Sequence, residues 1–145
     1  LRGSGGMAAA VAGAFFDAGF SQGMIIARNE ETGRALAERY EYAWAPEVGN
    51  LRAPILVNVT PIGMAGGEES EELSYPEEAI AEAQVVFDVV AMPVETPLIR
   101  AARAAGKEVI HGGEVIALQA AEQFRLYTGV ELTPEEVEEA EAQAN

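Results

Sequence analysis

The stretch that decides the fold is Arg2-Gly3-Ser4-Gly5-Gly6-Met7-Ala8, and the small apolar run from Ala9 to Phe16 follows it directly. Gly3 can take the backbone angles of a sharp strand-to-helix turn, Gly5 lets a phosphate approach the main chain, and Ala8 permits close helix packing. This is the pattern G-x-G-x-x-G/A, in which N–H groups and the positive end of a helix dipole bind pyrophosphate. The turn indicates a dinucleotide site, although such turns also occur for packing reasons alone.

The beginning of the chain is unusual for such a turn. Only Leu1 and Arg2 precede it, and the sequence does not start with methionine. A phosphate-binding turn of this kind follows a strand, usually about five residues long. We therefore expect the first strand to be truncated and the chain to be a fragment.

Composition predicts one soluble domain. The chain has 145 residues, of which 49% are hydrophobic, enough for a single core. No apolar stretch is long enough to cross a bilayer, and no leader pattern is present, so we expect no membrane association. The absence of cysteine excludes disulfides and thiolate chemistry and fits a cytoplasmic location.

The net charge of −15 argues against nucleic acid as a partner, because a polyanion would be repelled over most of the surface. An anionic cofactor would need a local cationic spot. The acidic stretch around residues 68–72 is interpreted as a solvated loop in preference to a metal site.

Apolar runs alternate with helical segments along the chain. The predicted strands are Met24–Ala27, Tyr42–Trp44, Pro54–Val59, Val85–Val90 and Val109–Ile110. Alternation of this kind predicts an α/β fold, a doubly wound parallel sheet of the Rossmann type in three α/β/α layers. We expect this domain to cover residues 1–130 and an acidic C-terminal helix to cover residues 131–145.

Ligands of such sheets bind beyond the carboxyl ends of the strands. The unusual residues predicted there are the glycine turn, Arg28, Asn58, Thr60, Asp88 and Gly112. Their coincidence strengthens the nucleotide interpretation.

Arg28 favours NADP over NAD. An NAD site places an acid at the end of the second strand, whereas a 2′-phosphate needs that acid gone and a cation nearby. Here the residues are Ala27, Arg28 and Asn29. The alternative is a solvated surface arginine, partly neutralised by Glu30 and Glu31.

Several motifs together resemble the cofactor domain of the shikimate dehydrogenase family, in order and over nearly the whole chain, with details that lean toward its shikimate dehydrogenase-like branch. They are Gly3-Ser4-Gly5-Gly6-Met7-Ala8, Asn58-Val59-Thr60-Pro61-Ile62-Gly63-Met64, Asp88-Val89-Val90-Ala91-Met92-Pro93-Val94-Glu95-Thr96-Pro97-Leu98, and Gly112 with the run 115–124 through Thr128-Gly129. The resemblance implies an oxidoreductase of aromatic amino-acid biosynthesis that reversibly reduces 3-dehydroshikimate to shikimate with NADPH.

The resemblance also implies roles for individual residues. The pyrophosphate would be bound by Gly3, Ser4, Gly5, Gly6, Met7 and Ala8, the 2′-phosphate region by Arg28 and Asn29, and the nicotinamide half by Thr60, the Val89 backbone and Gly112. Gln119 would reach a substrate hydroxyl; without the family it would be interpreted as a helix-surface or buried polar residue. Asp88 is alternatively a cap for neighbouring backbone N–H groups.

Two positions depart from the family pattern. Ala27-Arg28-Asn29 stands where the family commonly has Asn-Arg-Thr, and Ala91 stands where it commonly has a tyrosine that contacts the substrate carboxylate. The alternatives are therefore a quinate/shikimate-type dehydrogenase with an altered substrate, or a non-catalytic NADP-binding module.

The resemblance implies that the family's catalytic lysine and aspartate lie in an N-terminal domain, which we expect to be missing from this chain. We therefore expect the shikimate substrate to bind through that missing domain and this chain to hold no catalytic residue. The single histidine, His111, is interpreted as structural.

Overall fold

The computed structural model describes residues 1–144. Its elements are α1 (Gly6–Asp17), β1 (Met24–Ile26), α2 (Glu30–Arg39), β2 (Ala43–Ala45), β3 (Ile55–Asn58), α3 (Glu77–Glu82), β4 (Val85–Asp88), α4 (Pro97–Ala104), β5 (Glu108–Ile110), α5 (Gly112–Thr128) and α6 (Pro134–Ala144). Helices and strands alternate up to α5 as the sequence predicts, except that β3 follows β2 with no helix between them.

The strands form a parallel sheet whose halves are joined by the first two residues. β1 pairs with β2, and β4 pairs with both β3 and β5. Arg2 bridges Ile26 on one side and Asn58 on the other. Its N–H donates to Val57 O at 2.8 Å, and its own carbonyl accepts from Val59 N at 2.9 Å. The order is therefore β2, β1, residues 1–2, β3, β4, β5, which confirms the doubly wound parallel sheet.

Alternating residues of β1 belong to the two faces of this sheet. Ile25 and Ala27 pack with Ala8 and Leu36, from α1 and α2. Ile26 belongs to the other cluster, whose buried members include residues of β3, β4, α3 and α4: Leu56, Val86, Ile80 and Leu98. Two apolar clusters on opposite faces give three layers, because a parallel sheet must be covered on both sides.

α1 contacts the sheet through smaller residues than the sequence pattern indicates. In the sequence, Val11, Phe15 and Phe16 stand at spacings that can face a sheet, but Ala8 and Ala12 are the fully buried residues of the helix, and Val11 and Phe15 are only partly buried. Phe16 is 38% exposed. Alanines at this contact let the helix axis approach the strands more closely than aromatic rings allow.

Two helix starts differ from what the sequence predicts, which is a helix with Pro76 at its first position and a turn of Gly112 and Gly113 before a helix from about Glu114. Pro76 is the N-cap of α3, with ψ 153°, and not its first helical residue. Gly112 does not form a turn before α5 but is the first residue of that helix, and His111 is its N-cap.

The last two helices pack against each other. α6 corresponds to the predicted acidic helix 131–145, and Asn145 lies outside the described residues. Its half-buried Val137 lines a cavity together with Ala117 and Ala121 of α5, so α6 does have an apolar contact. In the described part of the chain, every helix is too short or too polar to span a bilayer.

Candidate functional site

The glycine turn, the end of β1 and the loop after β3 line one cleft at the carboxyl edge of the sheet. Its volume is about 340 Å³. It brings together many of the predicted site residues, and its lining includes Gly3, Ser4, Gly5, Arg28, Asn29 and Thr60. The cleft lies at the carboxyl edge of the sheet where residues 1–2 stand between β1 and β3. Open α/β sheets bind ligands at such a position.

The glycines of the turn have different physical roles. Gly3 has φ +131°, and a Cβ there would lie 2.8 Å from Val59 Cγ2 and 2.9 Å from Val59 O. At Gly5 and Gly6 an added Cβ would meet nothing within 4 Å. Gly3 is thus required by the fold, whereas Gly5 and Gly6 present open backbone.

The N-terminus of α1 is suited to an anion. Its N-cap, Gly5, makes no side-chain cap hydrogen bond, and its first turn contains no acidic residue. The first N–H groups of a helix have no partner within it, and the helix dipole is positive at this end. The turn therefore offers donors and favourable potential to a phosphate.

A short chain of polar contacts joins this turn to α2. Ser4 Oγ lies 2.7 Å from Thr32 Oγ1. Thr32 N donates to Asn29 Oδ1 at 3.0 Å, which makes Asn29 the N-cap of α2. The Asn29 side-chain oxygen is therefore committed to the helix. Sequence analysis missed Thr32, although its spacing from Asn29 is that of a capping pair.

Arg28 extends beside the cleft with 76% of its side chain exposed. Its Nη1 and Nη2 donate to the two carboxylate oxygens of Glu69, each at 3.4 Å. Glu69 was predicted to belong to a solvated loop, and Glu30 and Glu31 were the expected partners of Arg28. Glu30 instead accepts from Arg34 Nε at 2.8 Å.

Arg2 is a second cation of the cleft that sequence analysis did not assign. It lines the cleft with Arg28, and its Nη1 donates to Ser74 O. The Arg2 pKa is lowered, chiefly by burial. Tyr75, Glu69 and Glu72 raise this pKa, whereas Arg28 lowers it further. Arg2, Arg28 and Glu69 thus form one electrostatic group, the local cationic spot that a chain of charge −15 needs in order to bind an anion.

Asn58, Thr60 and Asp88 form a buried network below the cleft. Asn58 Nδ2 donates to Asp88 Oδ1 at 3.0 Å, and Asn58 Oδ1 accepts from Thr60 Oγ1 at 2.6 Å. The Thr60 hydroxyl also accepts from Ile62 N at 3.2 Å, so it is already engaged in shaping the loop.

Asp88 is fully buried and accepts from Val90 N at 3.1 Å and from Thr96 Oγ1 at 2.8 Å. Burial raises its pKa, and the hydrogen bonds from Val90, Thr96 and Asn58 partly offset the rise. Asp88 thus caps one neighbouring backbone N–H, that of Val90, in line with its interpretation as a capping residue.

Val89 and Gly112 meet at the end of β4. A Cβ on Gly112 would lie 2.5 Å from Val90 O and 2.6 Å from Val89 O, so only glycine lets α5 begin this close to the strand. Gln119 is exposed on α5 and is not among the residues lining the cleft. The structure thus groups the predicted nucleotide contacts along one sheet edge and places Gln119 apart from the cleft.

His111 lies beside this contact. It is 9% exposed, and its Nδ1 accepts from Glu114 N at 3.4 Å as the N-cap of α5. Its Nε2 lies 3.1 Å from Glu114 Oε1. These contacts give the histidine a structural role in starting the helix.

Sheet order, the open glycine turn and the arginines of the cleft define the class of protein, a Rossmann-type domain whose cleft is suited to an anion. No protein-family model matches the chain. It is 54% identical over 142 residues to a shikimate dehydrogenase-like protein of Haemophilus influenzae, covering 98% of this chain and 52% of that protein. It is 38% identical over 137 residues to a shikimate dehydrogenase (NADP(+)) of Archaeoglobus fulgidus, covering 89% of this chain and 50% of that protein.

Solved structures agree. A shikimate 5-dehydrogenase-like protein superposes with a TM-score of 0.93 at 54% identity, covering 97% of this chain and 52% of that one. Shikimate 5-dehydrogenase of Thermus thermophilus, in complex with NADP(H) and shikimate, superposes with a TM-score of 0.84 at 34% identity, covering 99% of this chain and 54% of that one. The chain is therefore a homologue of shikimate dehydrogenase-like proteins, which confirms the resemblance, and it spans about half the length of the curated relatives it matches.

Proposed function

We propose that this chain is the NADP-binding domain of a shikimate dehydrogenase-like oxidoreductase, which reversibly reduces 3-dehydroshikimate to shikimate in the cytoplasm. The observation that carries the proposal is the cleft itself, in which an open glycine turn at a helix N-terminus lies beside Arg2 and Arg28. The first turn of α1 contains no acid, and β1 is followed by Ala27 and Arg28 in place of a carboxylate. The residues present thus fit a phosphorylated dinucleotide.

Each part of the cofactor is assigned to residues of this edge. The pyrophosphate is held by the turn from Gly3 to Ala8, and the 2′-phosphate by Arg28 with Asn29. The nicotinamide half lies against Thr60, the Val89 backbone and Gly112. The Thr60 hydroxyl and the Thr60 backbone N–H both donate to Asn58 Oδ1, at 2.6 and 3.1 Å, so Asn58 fixes the position of Thr60 in this assignment. NADPH supplies the hydride when bound.

The substrate side of the reaction is assigned to the part of the relatives that this chain does not span. We assign residues 1–130 to the nucleotide domain, residues 131–145 to a helical extension, and Gln119 to a substrate hydroxyl. No residue of this chain is assigned as the general base, so catalysis requires the additional domain.

An altered substrate is a second candidate, and the environment of Ala91 favours it. Ala91 and Met92 line an apolar cavity of about 480 Å³ between α5 and α6. Alanine offers no hydroxyl to a substrate carboxylate. In the full-length enzyme, Ala91→Tyr should raise kcat/KM for shikimate; a fall with unchanged cofactor affinity would indicate a pocket shaped for another substrate.

The cofactor assignment is tested by calorimetric titration of this chain with NADPH and with NADH. We expect NADPH to bind more tightly, and we expect the difference to shrink as salt is raised, because the extra contact is ionic. Equal affinities for the two cofactors would refute the 2′-phosphate assignment. Absence of binding by either cofactor would refute the nucleotide-binding assignment, including the alternative of a non-catalytic NADP-binding module.

A further inference from the structure

Arg28, the residue assigned to the 2′-phosphate, is paired with an acid, Glu69, from the loop after β3. Nη1 and Nη2 each lie 3.4 Å from one oxygen of Glu69, so the two planar groups face each other in a forked arrangement. The Glu69 side chain is 30% exposed, and that of Arg28 is 76% exposed. The acid is thus the more firmly enclosed member of the pair.

The loop after β3 fixes the backbone of Glu69. Its carbonyl accepts from Gly63 N at 2.9 Å and from Glu72 N at 3.2 Å. The same loop is tied to the segment after β4, because Ala65 N donates to Met92 O at 2.9 Å. A negative charge is therefore presented beside the cleft by a hydrogen-bonded loop.

The fork on Arg28 that suits a phosphate is the one that Glu69 occupies. Guanidinium groups bind phosphate and carboxylate in the same bidentate manner, so both anions need the same donors. A 2′-phosphate carries a charge of about −1.5 to −2. It must either displace Glu69 from Nη1 and Nη2 or bind close to a like charge, and both lower the affinity.

We propose that Glu69 is a specificity-determining residue for the cofactor, because it competes with the 2′-phosphate for Arg28. This inference rests on the proposed function. Glu69 lowers affinity for nucleotides that carry a 2′-phosphate and leaves affinity for those without it nearly unchanged. The chain accordingly discriminates less sharply between NADP and NAD than Arg28 alone would dictate. Arg2 interacts electrostatically with Arg28, Glu69 and Glu72. Neither Arg2 nor Glu72 is substituted in the experiment below.

The test compares two small probes that differ in the 2′-phosphate, adenosine 2′,5′-bisphosphate and adenosine 5′-monophosphate. Each is titrated by calorimetry into the wild-type chain and into Glu69→Gln at low ionic strength. Exposed ion pairs have modest energies, so we expect Glu69→Gln to bind the bisphosphate about two- to fivefold more tightly. Binding of the monophosphate should stay nearly constant.

Glu71→Gln is the matched control. It removes the same charge from the same loop, but Glu71 Oε2 lies 3.9 Å from Arg100 Nη2 and not beside Arg28. Its effect on the bisphosphate should be clearly smaller. The gain in Glu69→Gln should also shrink when ionic strength is raised from about 0.05 M to about 0.5 M, because screening weakens the competing ion pair.

A double variant separates competition from a general change in charge. In an Arg28→Ala background, Glu69→Gln should give a clearly smaller gain, because the contested donor is gone and only repulsion by a nearby like charge is relieved. Equal effects of Glu69→Gln and Glu71→Gln, a gain shared by both probes, or a gain that is undiminished in Arg28→Ala would each overturn the inference. Suppose that the wild type binds the bisphosphate more tightly than the monophosphate and that Arg28→Ala removes this preference. If Glu69→Gln then changes neither affinity, only this inference fails. If the wild type binds neither probe, the proposed function fails with it.

Discussion

Arg28 illustrates what residue type can and cannot predict about a site. A cation after the second strand of the fold is visible in the sequence, and the structure places it beside the glycine turn as expected. Its pairing with Glu69 is not visible, because the two residues are 41 positions apart and come together only through the order of the strands. Arg2 was overlooked for a similar reason, since its guanidinium reaches the carbonyl of Ser74 through tertiary packing.

Arg28→Ala should weaken NADPH binding by about 1–3 kcal/mol, the range for hydrogen bonds to charged groups, and leave NADH binding nearly unchanged. Calorimetric titration of each variant with both cofactors measures the difference. Arg39→Ala is the control, because it removes the same charge from the last turn of α2, where Arg39 lies over the Tyr40 ring. Equal losses for NADPH and NADH would show that Arg28 does not read the 2′-phosphate.

Asp88→Asn should destabilise the fold by about 1–3 kcal/mol, because it disturbs a buried acceptor of hydrogen bonds from Val90, Thr96 and Asn58. The wild-type carboxyl has a raised pKa in the folded protein, chiefly through burial. A raised pKa means stability that is fully present below the unfolded value and is lost as pH rises through the folded value.

The advantage of wild type over Asp88→Asn should therefore be largest at and below about pH 4 and should decline as pH rises. Urea unfolding of both proteins across this range measures it. An advantage that grows with pH would mean that the network favours the ionised carboxylate.

At the scale of elements, the sequence predicted the strands better than the helix faces. Continuous apolar runs such as residues 55–57 are distinctive, so their strands were found within about two residues. Which side chains of α1 meet the sheet depends on the distance between helix and strands, and that distance is set by tertiary packing. The start of α5 likewise depends on Gly112 lying against the carbonyls of Val89 and Val90, a contact between distant segments.

The glycine turn gives a test with two matched substitutions. Gly3→Ala should lower the free energy of unfolding by about 1–3 kcal/mol, because a side chain at φ +131° is strained and would collide with Val59. Gly6→Ala adds the same methyl group in open space at the start of α1. It should leave stability unchanged or raise it by up to about 1 kcal/mol. Equal effects in urea unfolding would show that the turn does not depend on the conformation of Gly3.

At the scale of the whole molecule, residues 1–2 join two halves of a sheet that would otherwise be separate, and the cleft lies at the junction. The alternation of strands and helices predicted this arrangement because parallel crossovers are right-handed.

The part of the reaction that needs a proton acceptor is assigned to no residue of this chain. We therefore expect the chain alone to show no dehydrogenase activity with shikimate and NADP, measured as the appearance of NADPH absorbance. Turnover by the pure chain would contradict the assignment of the proton acceptor to a part of the enzyme outside this chain.

The most direct test of the cofactor site is a map of backbone amide chemical shifts in the uniformly labelled chain during titration with NADPH. We predict saturable shifts at Gly5, Gly6 and Met7 in the turn and at Arg28 beside the cleft. With NADH, the shifts at the turn should persist and that at Arg28 should be much smaller. Shifts confined to the cavity between α5 and α6, or no saturable shift at the turn, would contradict the account.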